Sequence, residues 1–369
     1  MTKVLIIGGG FAGCIAAQML VKKGYTDVTM IERAAVLGGS CRTEWYGGHP
    51  YTLGPRHFLT RSEEVWNFLN DSCPMHRYND GHEFLTYVER DNAFYHFPIH
   101  ADEVAEMPDA AEIKAEIANA KGPEGAANLE EFWQFSVGQT LYEKFVESYS
   151  KKMWNIDSNT ELTDFGFTTK GVALKTGPSR AAWSEAISGF PLAPNGYDDY
   201  FPLAVKDIKV HLKTNIDDFD MPNYKVKVNG EWHQYDLIIN TVSPEILLKN
   251  CFGPLRWMGR DFLKLILPVE TAFPKDVYFL YYANTEPFTR IVEYKKFYRY
   301  QSPQTLLGIE IPSTKNKLYP YPTKKDQALH KQYIDLLPSN IHSIGRNGTY
   351  RYLDVGNIIE QCLNLFRDV

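Results

Sequence analysis

The chain has 369 residues, 44% of them hydrophobic and 14% aromatic, with a formal net charge of −6. That length suits two or three domains around a sizeable core. The acidic balance argues against nucleic acid or an anionic membrane surface as a partner, and no apolar run nears the ~20 residues needed to span a bilayer. Five cysteines, at 14, 41, 73, 251 and 362, follow no paired or metal-binding spacing. They read as reduced thiols of a cytoplasmic protein without a metal site.

The first thirty residues carry the clearest signal. Residues 4–7 are a short apolar run, the pattern of a buried parallel strand. Gly8, Gly10 and Gly13 follow in G-x-G-x-x-G spacing, with Phe11 and Ala12 between them. A helical pattern continues through Ile15, Met19 and Leu20. A second apolar run, 28–31, ends on Glu32 and Arg33. In such a β-turn-α-β unit Gly8 allows the tight turn, Gly10 leaves room for a pyrophosphate, and Gly13 lets helix and strand approach. The helix N-terminus offers free N–H groups to phosphate, and Glu32 suits a ribose diol. Leu37-Gly38-Gly39-Ser40 comes next, a Gly-Gly pair where the flavin half of FAD usually lies along the chain, although such a pair also marks plain turns. FAD is therefore the expected cofactor.

Residues 42–60 read as extended segments, and 62–70 as helix. Two strand-like runs lie within 82–98. Residues 101–121 and 129–152 read as helical tracts, broken at Gly122-Pro123. Strands are expected at 209–213, 224–228, 235–241, 262–268, 276–282, 289–293, 305–311 and 341–344, and helices at 323–337 and 354–366. The run YDLIINTVSP reads as a return to the dinucleotide-binding domain. The expected class is α/β: a Rossmann-like FAD-binding domain (1–62, 196–250 and 338–369), an inserted, mainly helical domain (63–195), and a second, antiparallel sheet domain (251–337).

Three short segments of the C-terminal half combine arginine and tyrosine: 288–293 around Arg290, 318–322 around Tyr319, and 345–354 with Arg346, Tyr350, Tyr352, Leu353 and Asp354. A guanidinium gives a planar fork of donors for phosphate oxygens, and a phenol gives a donor on a rigid ring. Together with an FAD fingerprint, they point to a nucleotide diphosphate.

With IIGGGFAG, IER…LGGS, Gly54 with Phe58, ESYSKKMW, PFTRIVE, LYPYP and GRNGTYRYLD in this order, the chain resembles the UDP-galactopyranose mutases and related nucleotide-sugar ring-contraction enzymes. The resemblance implies an isomerase that interconverts pyranose and furanose forms of a nucleotide-diphosphate sugar, with reduced FAD N5 as nucleophile at the anomeric carbon. It implies a mobile substrate loop on the helical domain, a six-stranded sheet domain, NAD(P)H or another reductant as a partner, and a homodimer. Carried over, Tyr149 and Trp154 lie around the base, Arg290, Tyr319 and Tyr352 on the diphosphate, and Arg346, Leu353 and Asp354 beside the flavin.

This sequence departs from the family in three places, one of them the loss of a family tyrosine near Ala182. The loop segment DFGFTTKGVALKTG lacks the family's second diphosphate arginine, leaving Lys170, or less readily Arg180, as substitute cation. By the flavin, Gly54-Pro55-Arg56-His57-Phe58 puts Arg56 where the family has histidine. Arg56 suits a sugar other than galactose, such as one with an N-acetyl carbonyl; alternatively His57 takes the histidine's role. An FAD-dependent oxidase or dehydrogenase of the amine-oxidase type, and a flavoprotein without activity, remain as alternative readings.

Overall fold

In the computed structural model, which describes residues 1–78, 82–164, 174–183 and 185–367, the 4–7 run lies in the strand Lys3–Ile7. Its side chains are almost fully buried, as its unbroken apolar sequence requires of a parallel strand covered on both faces. It pairs in parallel with Asp27–Ile31 on one side and Leu237–Asn240 on the other. Lys209–His211 and Ile341–Ser343 complete a five-stranded parallel sheet. The YDLIIN run thus returns to the first strand across more than two hundred residues of sequence. The helix Phe11–Lys22 packs on this sheet and against the last helix, Val355–Leu365.

The second sheet runs, from edge to edge, Tyr319–Pro320, Trp257–Leu267, Thr305–Ser313, Arg290–Glu293, Val277–Tyr282, Glu83–Val88 and Ala93–His96. Its ladders are antiparallel except between Val277–Tyr282 and Glu83–Val88. It has seven strands rather than the expected six, and two of the seven come from the region read as a mainly helical insertion. Glu83–Val88 alternates half-buried and buried positions, the period of a strand with one face on a core.

The two long helical tracts are also broken. Residues 101–121 split into Ala101–Val104 and Ala110–Ala118 around Pro108, which cannot donate to the preceding turn. Residues 129–152 bend at Gly138, whose φ of +92° ends the helix Leu129–Val137. The chain then runs through the π-helical turn Glu143–Glu147 into Ser148–Trp154. On that turn the fully buried Lys144 ammonium is held by Asp91 at 2.6 Å and Asp109 at 2.8 Å. All five cysteines are free. No helix among the described residues is long and apolar enough to cross a membrane.

Candidate active site

The glycine turn forms a cradle walled by backbone. Gly8 has φ +97°, and a Cβ there would collide with the Thr241 hydroxyl. A Cβ on Gly13 would strike the Gly8 carbonyl, so this glycine fixes the contact between helix and strand. Gly10 is different: its φ is −72°, and a Cβ would meet nothing within 4 Å. It faces a gap at the start of Phe11–Lys22, a helix without a side-chain cap, so the first-turn N–H groups there have no intrahelical partner. Beside the gap, the Gly38 N–H donates to the Gly9 carbonyl at 2.8 Å. A Cβ on Gly39 would stand 3.3 Å from the Gly10 Cα. Glu32 ends the strand Asp27–Ile31, and its carboxylate accepts from the Gly9 and Ala34 N–H groups, each at 2.6 Å. The Phe11 ring is buried against Tyr197, Tyr200 and Phe201, so this residue faces the gap with its backbone. Ala12 lies under Gly345, and Arg33 is exposed. An open, backbone-walled gap at an uncapped helix start, with a fixed carboxylate beside it, fits a dinucleotide pyrophosphate and ribose.

The second sheet and Ser148–Trp154 enclose a cleft lined by Tyr149, Trp154, Arg260, Arg290, Tyr319 and Tyr352, among others. Arg290 stands in register between Tyr281 and Glu310 on the neighbouring strands. Its Nε and Nη2 donate to the two Glu310 oxygens at 3.0 and 2.7 Å. Glu310 is essentially inaccessible, while part of Arg290 reaches the cleft. The Tyr319 and Tyr352 rings stack, centroids 5.5 Å apart and nearly parallel. The Arg346 guanidinium lies 4.7 Å from the Tyr352 ring and 5.2 Å from the Tyr319 ring. Its Nε and Nη2 donate to the Leu353 carbonyl and its Nη1 to the Leu318 carbonyl. Arg346 is thus a strut that fixes the two tyrosine segments. Asp354 is the N-cap of Val355–Leu365, accepting from the Asn357 N–H.

Burial alone would push the Tyr319 phenol up. The Arg56 and Arg260 guanidinium groups outweigh that and hold it below its ordinary value. Arg56 sits at the seam between cradle and cleft. Its Nε donates to the Ser40 carbonyl at 3.2 Å. A Cβ on Gly54, which has φ +83°, would lie 3.7 Å from Arg56 Nη1 and 3.6 Å from Arg290 Nη2. Arg56 Nη2 is buried without a partner.

His57 has other surroundings. It packs against Trp183 at 4.7 Å, His82 at 4.9 Å and Phe297 at 5.9 Å, and both ring nitrogens are buried and unpartnered. Burial, then the neighbouring His82, pushes its pKa well down, so the ring is neutral. Arg56 rather than His57 therefore joins the cluster around Tyr319. Lys170 lies outside the described residues. Arg180 pairs with Asp102 at 3.2 Å and is not among the residues lining the cleft. Sequence reasoning missed Arg260 and Glu310. The strand bearing Arg260 begins at Trp257, five residues before the expected start. Glu310 reads as an ordinary outward position within a strand.

Residues 144–352, more than half of the chain, match the UDP-galactopyranose mutase family, and residues 6–72 match an NAD(P)-binding Rossmann-like domain. The chain is 25% identical to a probable UDP-galactopyranose mutase of Klebsiella pneumoniae, over 98% of this chain and 92% of that protein. It is 24% identical to a dTDP-fucopyranose mutase of Escherichia coli, over 98% and 97% of the two chains. A crystal structure of reduced UDP-galactopyranose mutase shares the fold with a TM-score of 0.82 at 17% identity, covering 99% of this chain and 93% of that one. A putrescine oxidase shares the broader architecture at a TM-score of 0.57 and 13% identity, covering 100% and 98%. The family match spans the cleft-lining helix, the Arg290–Glu310 pair and both stacked tyrosines, and on that ground this chain belongs to the UDP-galactopyranose mutase family.

Proposed function

We propose that the chain interconverts the pyranose and furanose forms of a nucleotide-diphosphate sugar, with FAD held in its reduced form in the glycine cradle. The observation that carries this reading is the seam at Gly54, where Arg56 of the cradle side and Arg290 of the cleft side both come within 4 Å of the place a Cβ would take. A sugar there meets the cofactor at one end and the phosphate-binding groups at the other.

Gly8, Gly10, Phe11, Ala12, Gly13, Glu32 and Arg33 hold the adenosine and pyrophosphate half. Gly39, Ser40, Gly54, Arg346, Tyr352, Leu353 and Asp354 border the flavin half. Reduced FAD, when bound, supplies a nucleophilic N5 for the anomeric carbon. Arg290 and the Tyr319 and Tyr352 hydroxyls stabilise negative charge on the departing diphosphate, in a site that excludes water. Tyr149 and Trp154 stack with the base. Glu310 holds the Arg290 fork in one orientation, so little rearrangement accompanies bond breaking. Arg56, with a free Nη2, donates to a substituent of the sugar and favours a sugar other than galactose. The division into segments 1–62, 196–250 and 338–369, 63–195, and 251–337 belongs to the same proposal, as do NAD(P)H or another reductant, a second copy of the chain, and a cytoplasmic location.

The test is a panel of nucleotide sugars given to chemically reduced enzyme: UDP-galactose, UDP-N-acetylgalactosamine and dTDP-fucose. Pyranose–furanose exchange without net consumption of oxygen or another acceptor is expected. Stoichiometric oxygen uptake with an amine, and no exchange with any sugar, would establish the oxidase reading instead.

A further inference from the structure

We propose that Arg260 is the second cation of the diphosphate site, acting with Arg290. This rests on the nucleotide-diphosphate reading above and names a residue which that reading leaves out.

Arg290 is a poor sole partner for a diphosphate, because it already forms a bidentate pair with the buried Glu310. The pair is close to neutral as a unit, whereas the group to be bound carries about two negative charges. Arg260 supplies the missing charge. It is 3% exposed and lines the same cleft. No carboxylate pairs with it among the described residues. Its Nη1 donates to the adjacent Gly259 carbonyl at 2.6 Å, its Nη2 abuts the Met153 sulfur, and its Nε has no partner. The next acidic residue along the strand, Asp261, bonds Lys315 instead.

A buried guanidinium resting on a thioether and one carbonyl is poorly compensated, since burying an ion without its counter-charge is strongly unfavourable. Thioether sulfur is a weak acceptor, and a phosphate oxygen would displace it. The two arginines also converge. Both guanidinium groups act on the Tyr149 phenol, and both act on the Tyr319 phenol. The Arg260 guanidinium lies 4.8 Å from the Tyr319 ring. A diphosphate beside these two phenols meets one arginine fixed by Glu310 and a second with no competing anion. Met153 lies on the same helix as Tyr149 and Trp154, so Arg260 stands where that helix meets the sheet.

Calorimetric titration of the FAD-loaded protein with UDP, dTDP and uridine tests this, using the wild type, Arg260→Gln and Arg260→Lys. Arg260→Gln should weaken UDP binding by roughly ten- to a hundredfold, the range for losing a charge-assisted phosphate contact. Uridine, which has no phosphate, should bind all three proteins alike, and Arg260→Lys should fall between wild type and Gln for UDP. Equal UDP affinity in wild type and Arg260→Gln overturns the proposal, as does equal weakening of UDP and uridine, which marks a packing role. Should Arg260→Gln fail to retain FAD, Arg260→Lys decides: weaker UDP binding with uridine unchanged supports the role, and unchanged UDP binding overturns it. If the wild type itself binds neither UDP nor dTDP, the nucleotide-diphosphate reading fails instead.

Discussion

Glu310 uses both carboxylate oxygens on Arg290, and this sets what the arginine can do. The edge bearing Nε and Nη2 is committed to Glu310, which leaves Nη1 outside that pair. The pair also shapes what a substitution reports. Arg290→Ala leaves a carboxylate that is 1% exposed without its counter-charge, a change that typically costs about 3–5 kcal/mol. Loss of activity in that variant therefore mixes unfolding with chemistry. The double variant Arg290→Met, Glu310→Met removes both charges and keeps apolar volume against Phe279 and Tyr281. It should recover most of the stability in urea unfolding, retain bound FAD, and still show almost no turnover. Recovered turnover would remove Arg290 from the site. Arg290 itself was legible in the sequence because the tyrosine- and arginine-rich segments repeat its chemistry. Glu310 was not, since a lone charge within a strand reads as the solvent face, and Arg260 was not, since it precedes the start expected for its strand. Only the pairing register shows that these two point inward.

Among the elements, the glycine turn was the most legible, because each glycine answers a different local demand. Gly13 answers a packing demand and Gly10, on the proposed reading, a ligand demand, so the same substitution should act differently at each. Gly13→Val drives a side chain into the Gly8 carbonyl. It should lower the stability of the protein without cofactor by roughly 1–3 kcal/mol, as overpacking does. Gly10→Val enters open space at an ordinary φ. It should leave that stability nearly unchanged while reducing the FAD content of the purified protein several-fold. Thermal melts of the stripped proteins, with flavin absorbance of the loaded ones, check both; equal melting losses for the two variants would contradict the division of labour. The helical tracts were less legible. Composition marked 101–121 and 129–152 as helical, but it does not register that Pro108 and Gly138 interrupt the turn. Nor does it show that Glu83–Val88, local in sequence to helices, pairs in parallel with a strand nearly two hundred residues away. Such pairing depends on the whole chain's packing, not on any window of it.

At the scale of the molecule, cradle and cleft are joined by an aromatic seam in which histidines are buried without partners. His57 follows Arg56 on the cradle side. His82 starts the segment leading into Glu83–Val88, and its carbonyl accepts from the Ala182 N–H. Both rings meet Trp183 and Phe297, and His82 also meets Tyr278. His76 packs beside Tyr78 at the margin. None of the three rings has a hydrogen-bond partner. Burial pushes His82 down to about 3 and His76 to about 4, and holds His57 well below its usual range. In the unfolded chain these rings titrate near 6.5. The unfolded state therefore binds protons that the folded state refuses between about pH 6.5 and those lower values, so stability is complete above pH 6.5 and declines as the pH falls. A fully buried histidine contributes a slope of up to about 1.4 kcal/mol per pH unit within that window; His76, only half buried, adds less. Urea unfolding at pH 7, 6 and 5 should show the decline, with flavin fluorescence rising as the seam parts and the cradle opens. His82→Phe keeps an aromatic ring where no ring nitrogen is bonded, and should flatten the slope by about one proton's worth while preserving stability at pH 7. An unchanged slope in that variant would place the acid sensitivity outside the seam.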